Sequence, residues 1–320
     1  MKLRAIPLLS DPMIMTLLVA LGIAALTPVA GDSAAQARTI SNGGIFVLFL
    51  LNGMRIARRE IARGLANWRY IGPLMVWVFG VMALMGLGFQ WLAAGWLPPL
   101  VALGFLYLGT LPSTIQSATS YTTLAGGNIA LAVVGAALLN IAGVFITAPL
   151  FALLGGGAAG AIGSEVIIRI GLILVLPFTI GQLVQGWTYD WVNAHKARIV
   201  WLDRAVIGLS VYVAASGAMA QGIITMFAPG DWAVLLALVL MFLALATWAT
   251  WWVAGRVGLA RADRIAFLFG GSQKSIAIGA PLTAILFPPA VAGFVIAPLL
   301  VYHLAQLILA APLAARLSRS

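Results

Sequence analysis

Ten runs of apolar residues, bounded by turn residues or charge, follow one another along the chain with little between them. They lie at about 13–31, 40–56, 70–93, 97–124, 128–155, 166–187, 204–226, 231–255, 263–286 and 289–315. Each is close to the ~20 residues a helix needs to cross a hydrocarbon core of ~30 Å. The pattern predicts an all-α membrane protein with ten transmembrane helices and no inserted soluble domain. Two runs are not uniformly apolar. The fourth contains LPSTIQSATSYTTLAGGN from Leu111 to Asn128, and the ninth GGSQKSIAIGAPLT from Gly270 to Thr283. Each places Gln and Ser after a helix breaker: Pro112 precedes Gln116 and Ser117, and Gly271 precedes Gln273 and Ser275. Such an interruption is tolerated only where freed backbone groups face protein or a wet cavity. Broken helices are therefore expected at both places.

The interrupted runs sit at corresponding places in two halves. Thr147-Ala148-Pro149-Leu150 in the fifth run reappears as Ala310-Ala311-Pro312-Leu313 in the tenth. Five spans per half, an odd number, invert one half relative to the other. The expected repeats cover about 11–155 and 163–316. Paired interrupted spans in inverted repeats point to the binding site of a transporter.

Composition sharpens this picture. Of the residues 62% are hydrophobic and 8% charged, against ~25% charged in soluble domains. No charge occurs between Arg69 and Glu165. The absence of cysteine removes disulfides, thiol nucleophiles and thiolate metal sites. The net charge of +10 is spread through short loops, which argues for a lipid bilayer and against nucleic acid as partner. A cytoplasmic N-terminus puts Lys2, Arg4, Arg55, Arg58, Arg59, Arg63, Arg69, Lys196, Arg198, Arg204, Arg256, Arg261, Arg264, Arg316 and Arg319 on the cytoplasmic side, and Arg38 and Arg169 on the other. Both termini are thus expected in the cytoplasm and the chain in the inner (cell) membrane. Its first run is too long for a signal-peptide core and reads as a retained span. The segment MRIARREIARGLANWR, from Met54 to Arg69, reads as an interfacial helix whose cations meet anionic headgroups. Trp68, Trp91, Trp96, Trp187, Trp191 and Trp201 lie near span ends, as in an aromatic belt.

Candidate chemistry gathers at the two interruptions. In the fourth run Ser113, Thr114, Gln116, Ser117, Thr119, Ser120, Tyr121, Thr122 and Thr123 form a hydroxyl-rich stretch that Asn128 follows; in the ninth stand Ser272, Gln273, Lys274 and Ser275. Asn52, Asn140 and His303 are further polar candidates in the second, fifth and tenth runs. An ammonium at membrane depth costs ~2.5–3.5 kcal/mol or more, so Lys274 is read as functional. At a break, a half-helix N-terminus can receive an anionic group, and freed carbonyls can hold a cation. Lys274 could pair with an anionic solute group, stand where a bound cation would, or carry a proton. Every carboxylate falls in a loop or at a span end, so a sodium site would have only hydroxyl, amide and carbonyl oxygens. The reading is a secondary transporter moving an organic, anionic small molecule by alternating access, with Na+ before H+ as the expected coupling ion, no cofactor, and no metal site beyond a Na+ at the crossing of the two interrupted runs. The alternative is a proton-coupled carrier or uniporter in which Lys274 replaces the coupling cation. An enzyme would need a nucleophile, metal set or carboxylate pair at depth; a scaffold would not need paired interruptions.

The segments FLLNGMRIARREI, LYLGTLPSTIQSATSYTTLAGGNIA, LPFTIGQL and GGSQKSIAIGAPLTAILFP together resemble the bacterial symporter-like branch of the bile acid:sodium symporter superfamily, whose ninth helix carries a Gly-Ser-Gln/Lys-Lys-Ser motif. The resemblance extends over essentially the whole chain. It implies ten helices in two inverted repeats, with helices 4 and 9 broken and crossing. A panel of helices 1, 2, 6 and 7 would face a core of helices 3, 4, 5, 8, 9 and 10, with the substrate path between them. It also implies sodium coupling, with sites behind the crossing. Gly127-Asn128 agrees with the family pattern. The Ser-Asn sodium ligands, however, fall on Ala118 and Thr119, beside Ser117 and Ser120. The fifth-helix hydroxyls fall near Ala132 and Ala136, the shared acidic ligand on Gly271 and its following Gln on Ser275. The acidic ligand is thus missing, with Lys274 beside its place.

Overall fold

The computed structural model describes residues 12–59, 62, 66–159, 168–222 and 227–319. Lys2, Arg4, Asp11, Glu60, Ile61, Arg63, Leu65 and Glu165, which enter the charge pattern and the proposed interfacial helix, lie outside the described residues. In chain order the helices are α1 (Pro12–Leu26), α2 (Gly31–Arg55), α3 (Trp68–Ala94), α4 (Pro99–Thr110), α5 (Ile115–Leu124), α6 (Ile129–Ala159), α7 (Ile168–Ala194), α8 (Lys196–Ala220), α9 (Pro229–Arg256), α10 (Arg261–Ser272), α11 (Ile276–Leu286) and α12 (Pro289–Leu317). Among the described residues there is no strand. Seven helices are long and apolar enough to cross a membrane, or eight if the bent pair α4–α5 is one span. Single turns of π-helix interrupt α3 at Val76–Val81 and α7 at Gly171–Val175, near Pro73 and Pro177 respectively. A proline removes one rung of the ladder, and a π turn is one way to re-pair the displaced carbonyls.

Helices outrun hydropathy at two predicted loops. The second run was expected from residue 40, but α2 starts at Gly31. Ala34, Ala35, Gln36, Ala37 and Arg38 are strong helix formers, and Asp32 in the first turn suits the positive helix end. Gly31, at φ +55°, makes the sharp entry. Likewise 188–203 was expected as a loop, but α7 runs to Ala194 and α8 begins at Lys196. Arg38, Lys196, Arg198 and Arg204 therefore stand on helices. Arg55, expected to meet headgroups, instead forms an ion pair with Asp203 at 2.7 Å.

The chain divides into two compact units. The first contains residues 1–55, 164–227 and 280–294, hence α1, α2, α7 and α8 with most of α11 and the start of α12. Within it α2 and α7 touch backbone to backbone. A Cβ on Gly181 would lie 3.0 Å from the Gly53 Cα, and one on Gly53 equally close to the Gly181 Cα. Small residues permit this close packing, which replaces hydrophobic burial as the source of helix association in lipid. The second unit contains 56–163, 228–279 and 295–320. There α3 meets α4 in the same manner through Gly86 and Gly109. Both breaks, at residues 111–114 and 273–275, belong to this unit.

Candidate functional site

The first interruption follows from proline. Pro112 has no N–H and forces its predecessor out of the helical region; Leu111 is extended at φ −73°, ψ 147°. The two half-helices α4 and α5 are bent by 62°. The second interruption has no proline. Gly270 and Gly271, expected as its breakers, remain helical, and the chain opens later, at Gln273, with φ −79° and ψ 144°. Here tertiary partners, rather than local preference, hold the chain open. Gln306 of α12 accepts from the Lys274 N–H at 2.8 Å and donates to the Lys274 carbonyl at 3.0 Å, taking both main-chain groups of one residue. Tyr302 donates to the Ser272 carbonyl at 2.6 Å.

The interruptions meet. The Lys274 side chain is 0% exposed, and its Nζ donates to the carbonyls of Gly109 at 2.9 Å and Leu111 at 2.7 Å. It thereby caps the C-terminal end of α4, the negative pole of that half-helix. Around it, each carbonyl freed by the first break has a partner. Thr147 of α6 donates to Thr110 O at 3.1 Å, the Ser275 N–H to Pro112 O at 3.0 Å, and Asn140 to Ser113 O at 2.7 Å. Ser117 Oγ donates to Gln273 Oε1 at 2.9 Å, and Tyr107 to the Gly279 carbonyl at 2.6 Å. A buried carbonyl left unpaired costs ~1–3 kcal/mol, so the pairing of these carbonyls holds the junction.

Of the residues singled out from sequence, Ser113, Ser117, Asn140, Gln273, Lys274 and Ser275 share this junction. His303 joins it through Gln306, 3.0 Å from its Nδ1. The Ser272 hydroxyl turns back to its own helix at Leu268 O. Thr114 caps nothing with its side chain, and Gln116 and Ser120 are exposed. The Ser113 and Thr119 hydroxyl oxygens are buried without a hydrogen-bond partner among the described residues. Asn128 stands apart, bonding Asp263 at 2.8 Å and accepting from Leu131 N–H to cap α6. Asn52 belongs to the first unit.

Gln116 and Ser117 follow the first break, in the first turn of α5. The Lys274 amino group is enclosed and donates to the Gly109 and Leu111 carbonyls. Gln306, Tyr302 and Tyr107 were not singled out from sequence, and Thr147 entered only as part of the repeated motif. Tyr302, His303 and Gln306 fall on adjoining faces of one apolar helix, a spacing that could have exposed them. Gly271, where the resemblance places an acidic ligand, has no room for one: a Cβ would meet Thr250 Cγ2 at 2.7 Å and Trp77 Cδ1 at 2.8 Å. Ala118, Ala132 and Ala136 are buried and apolar.

Residues 11–319 match the profile of the SBF-like CPA transporter family. The chain is 35% identical over 310 residues to YfeH of Escherichia coli (strain K12), provisionally named a symporter, covering 97% of this chain and 93% of that one. It is 34% identical over 316 residues to an uncharacterised protein, PA2026, of Pseudomonas aeruginosa, covering 97% and 94%. It is 24% identical over 314 residues to sodium/bile acid cotransporter 7 of Mus musculus, covering 92% and 88%.

Proposed function

We propose a function from one premise: the chain belongs to the SBF-like CPA transporter family, within the bile acid:sodium symporter superfamily. It is a multi-pass membrane protein and a transporter. The proposal is a secondary active transporter that moves an organic, anionic small molecule by alternating access, with Lys274 taking the place of the coupling cation at the helix crossing. The carrying observation is the enclosed Nζ between the Gly109 and Leu111 carbonyls. Freed carbonyls are where a transporter of this build would hold a coupling cation, and here a side chain occupies them. A neutral amine still has two N–H donors, one for each carbonyl, so a proton can leave Lys274 without breaking either bond, which favours proton coupling.

Sodium coupling is the second reading. The relative named a sodium/bile acid cotransporter and the unpartnered oxygens of Ser113 and Thr119 favour it, since sodium takes hard oxygen ligands.

The proposed frame has ten spans in two inverted repeats: the eight spans counted above, α1, and the broken stretch α10–α11. The first, second, sixth and seventh spans would form the panel; their grouping in one compact unit supports this. Both termini would lie in the cytoplasm and the chain in the inner membrane. For the anionic end of a solute, the N-terminus of α5 is the better partner, since Thr114 leaves it without a side-chain cap.

Uptake into vesicles bearing the purified protein tests the proposal. Uptake driven by an inward proton gradient, and lost in Lys274→Gln, supports the lysine reading; Gln keeps two N–H donors but carries no exchangeable charge. Uptake that needs sodium and survives Lys274→Gln supports the second reading. No flux of any organic anion under either gradient overturns both.

A further inference from the structure

A pocket of about 270 Å3 opens on the second unit between α9, α10 and α12, lined among others by Ala244, Trp248, Phe269, Gln273, Leu309 and Leu313. Its rim is turned outward: Trp248 is 65% and Leu309 47% exposed. No charged side chain lines it, and both α9 and α12 qualify as membrane spans. Its mouth therefore opens to hydrocarbon. Its floor is different. Gln273 is 2% exposed, its carbonyl oxygen is taken by Ser117, and beside it Gln306 holds the Lys274 backbone.

The lining stripes lead to cations at one end. On α9, Ala244, Trp248, Trp252 and Arg256 recur every fourth residue and share a face. On α12, Arg316 follows Leu313 by three. Arg256 and Arg316 are exposed, and the Arg256 guanidinium stacks 4.5 Å over the Trp252 ring, which fixes it at the head of the stripe. The acidic side chain at this end, Asp263, is bonded to Asn128. From Ala244 to Arg256 the helix rises about 18 Å, close to the ~15 Å depth of one leaflet's hydrocarbon.

We infer that this pocket binds an anionic phospholipid of the bilayer, with its phosphate on Arg256 and Arg316 and one acyl chain lying along α9 and α12 down to Gln273. The apolar walls take the chain, the two guanidinium groups take the phosphate, and the chain end abuts the amides that hold the second break. The inference requires that the chain spans a membrane but not that it transports.

Native mass spectrometry of the whole protein, released from vesicles of equal phosphatidylglycerol and phosphatidylcholine, tests it. The expected result is one phosphatidylglycerol per chain, retained in preference to phosphatidylcholine. Arg256→Gln with Arg316→Gln should weaken that retention about thirtyfold, at about 1 kcal/mol per arginine. Ala244→Trp, which fills the pocket from its exposed side, should abolish it. Equal retention of both lipids, undiminished retention in Ala244→Trp, or a second copy of the chain covering this face would each overturn the inference. Loss of transport activity alone would not, since the readout is bound lipid.

Discussion

At the level of single residues, Gly271 and Lys274 replace one charge arrangement with another. Where the superfamily resemblance places a carboxylate, the indole of Trp77 and the methyl group of Thr250 fill the space, and three residues later an amine enters from the same stretch. Gly271→Asp should therefore fail by overpacking rather than restore a sodium site. Overpacking costs ~1–3 kcal/mol, and burying an unpaired carboxylate adds more. The midpoint of thermal unfolding in detergent should drop by several degrees, with no gain of sodium-dependent stabilisation; a sodium-dependent rise would refute this. That Lys274 matters was legible in the sequence, because a lone cation in an apolar run has few explanations. Where its amino group points was not. The carbonyls that receive it belong to Gly109 and Leu111, more than 160 residues earlier, and no local pattern encodes which backbone oxygens will be nearby.

At the level of elements, the two breaks have different causes, and that difference decides how far each could be foreseen. Pro112 writes the first into the local chemistry. The second depends on α12, where Gln306 clasps Lys274 on both sides, so the glycines gave the right stretch but the wrong residues. Gln306→Leu should strand the Lys274 N–H and carbonyl at ~1–3 kcal/mol each. Amide exchange at Gln273–Ile276 should then speed up at least tenfold while the middle of α9 stays protected; unchanged exchange would mean that the clasp is dispensable. Helix ends were misread for another reason. Hydropathy falls where a span enters the polar interface, yet the Ala-rich turns of α2 and the start of α8 remain helical there.

At the level of the whole molecule, the proposed ten-span frame would put the segment joining α9 to α10 and the C-terminal end of α12 on one side, with the end of α8 opposite. The chain has no cysteine, so single replacements report without background. Ala260→Cys and Ser318→Cys should be modified from the same side of sealed vesicles, and Gln221→Cys from the other. A reagent reaching Ala260 and Ser318 from opposite faces would exclude the ten-span arrangement. The apolar runs alone were enough to mark an all-helical membrane chain, because composition at this level survives errors at every boundary. What they could not reveal is how movement is partitioned. From Gly109 to Ser113 every main-chain oxygen is gripped by a donor from α6 or from the second broken stretch, so no one of these strands can slip without unpairing the others. A rearrangement that carried a solute across with this knot still tied would find its hinges elsewhere.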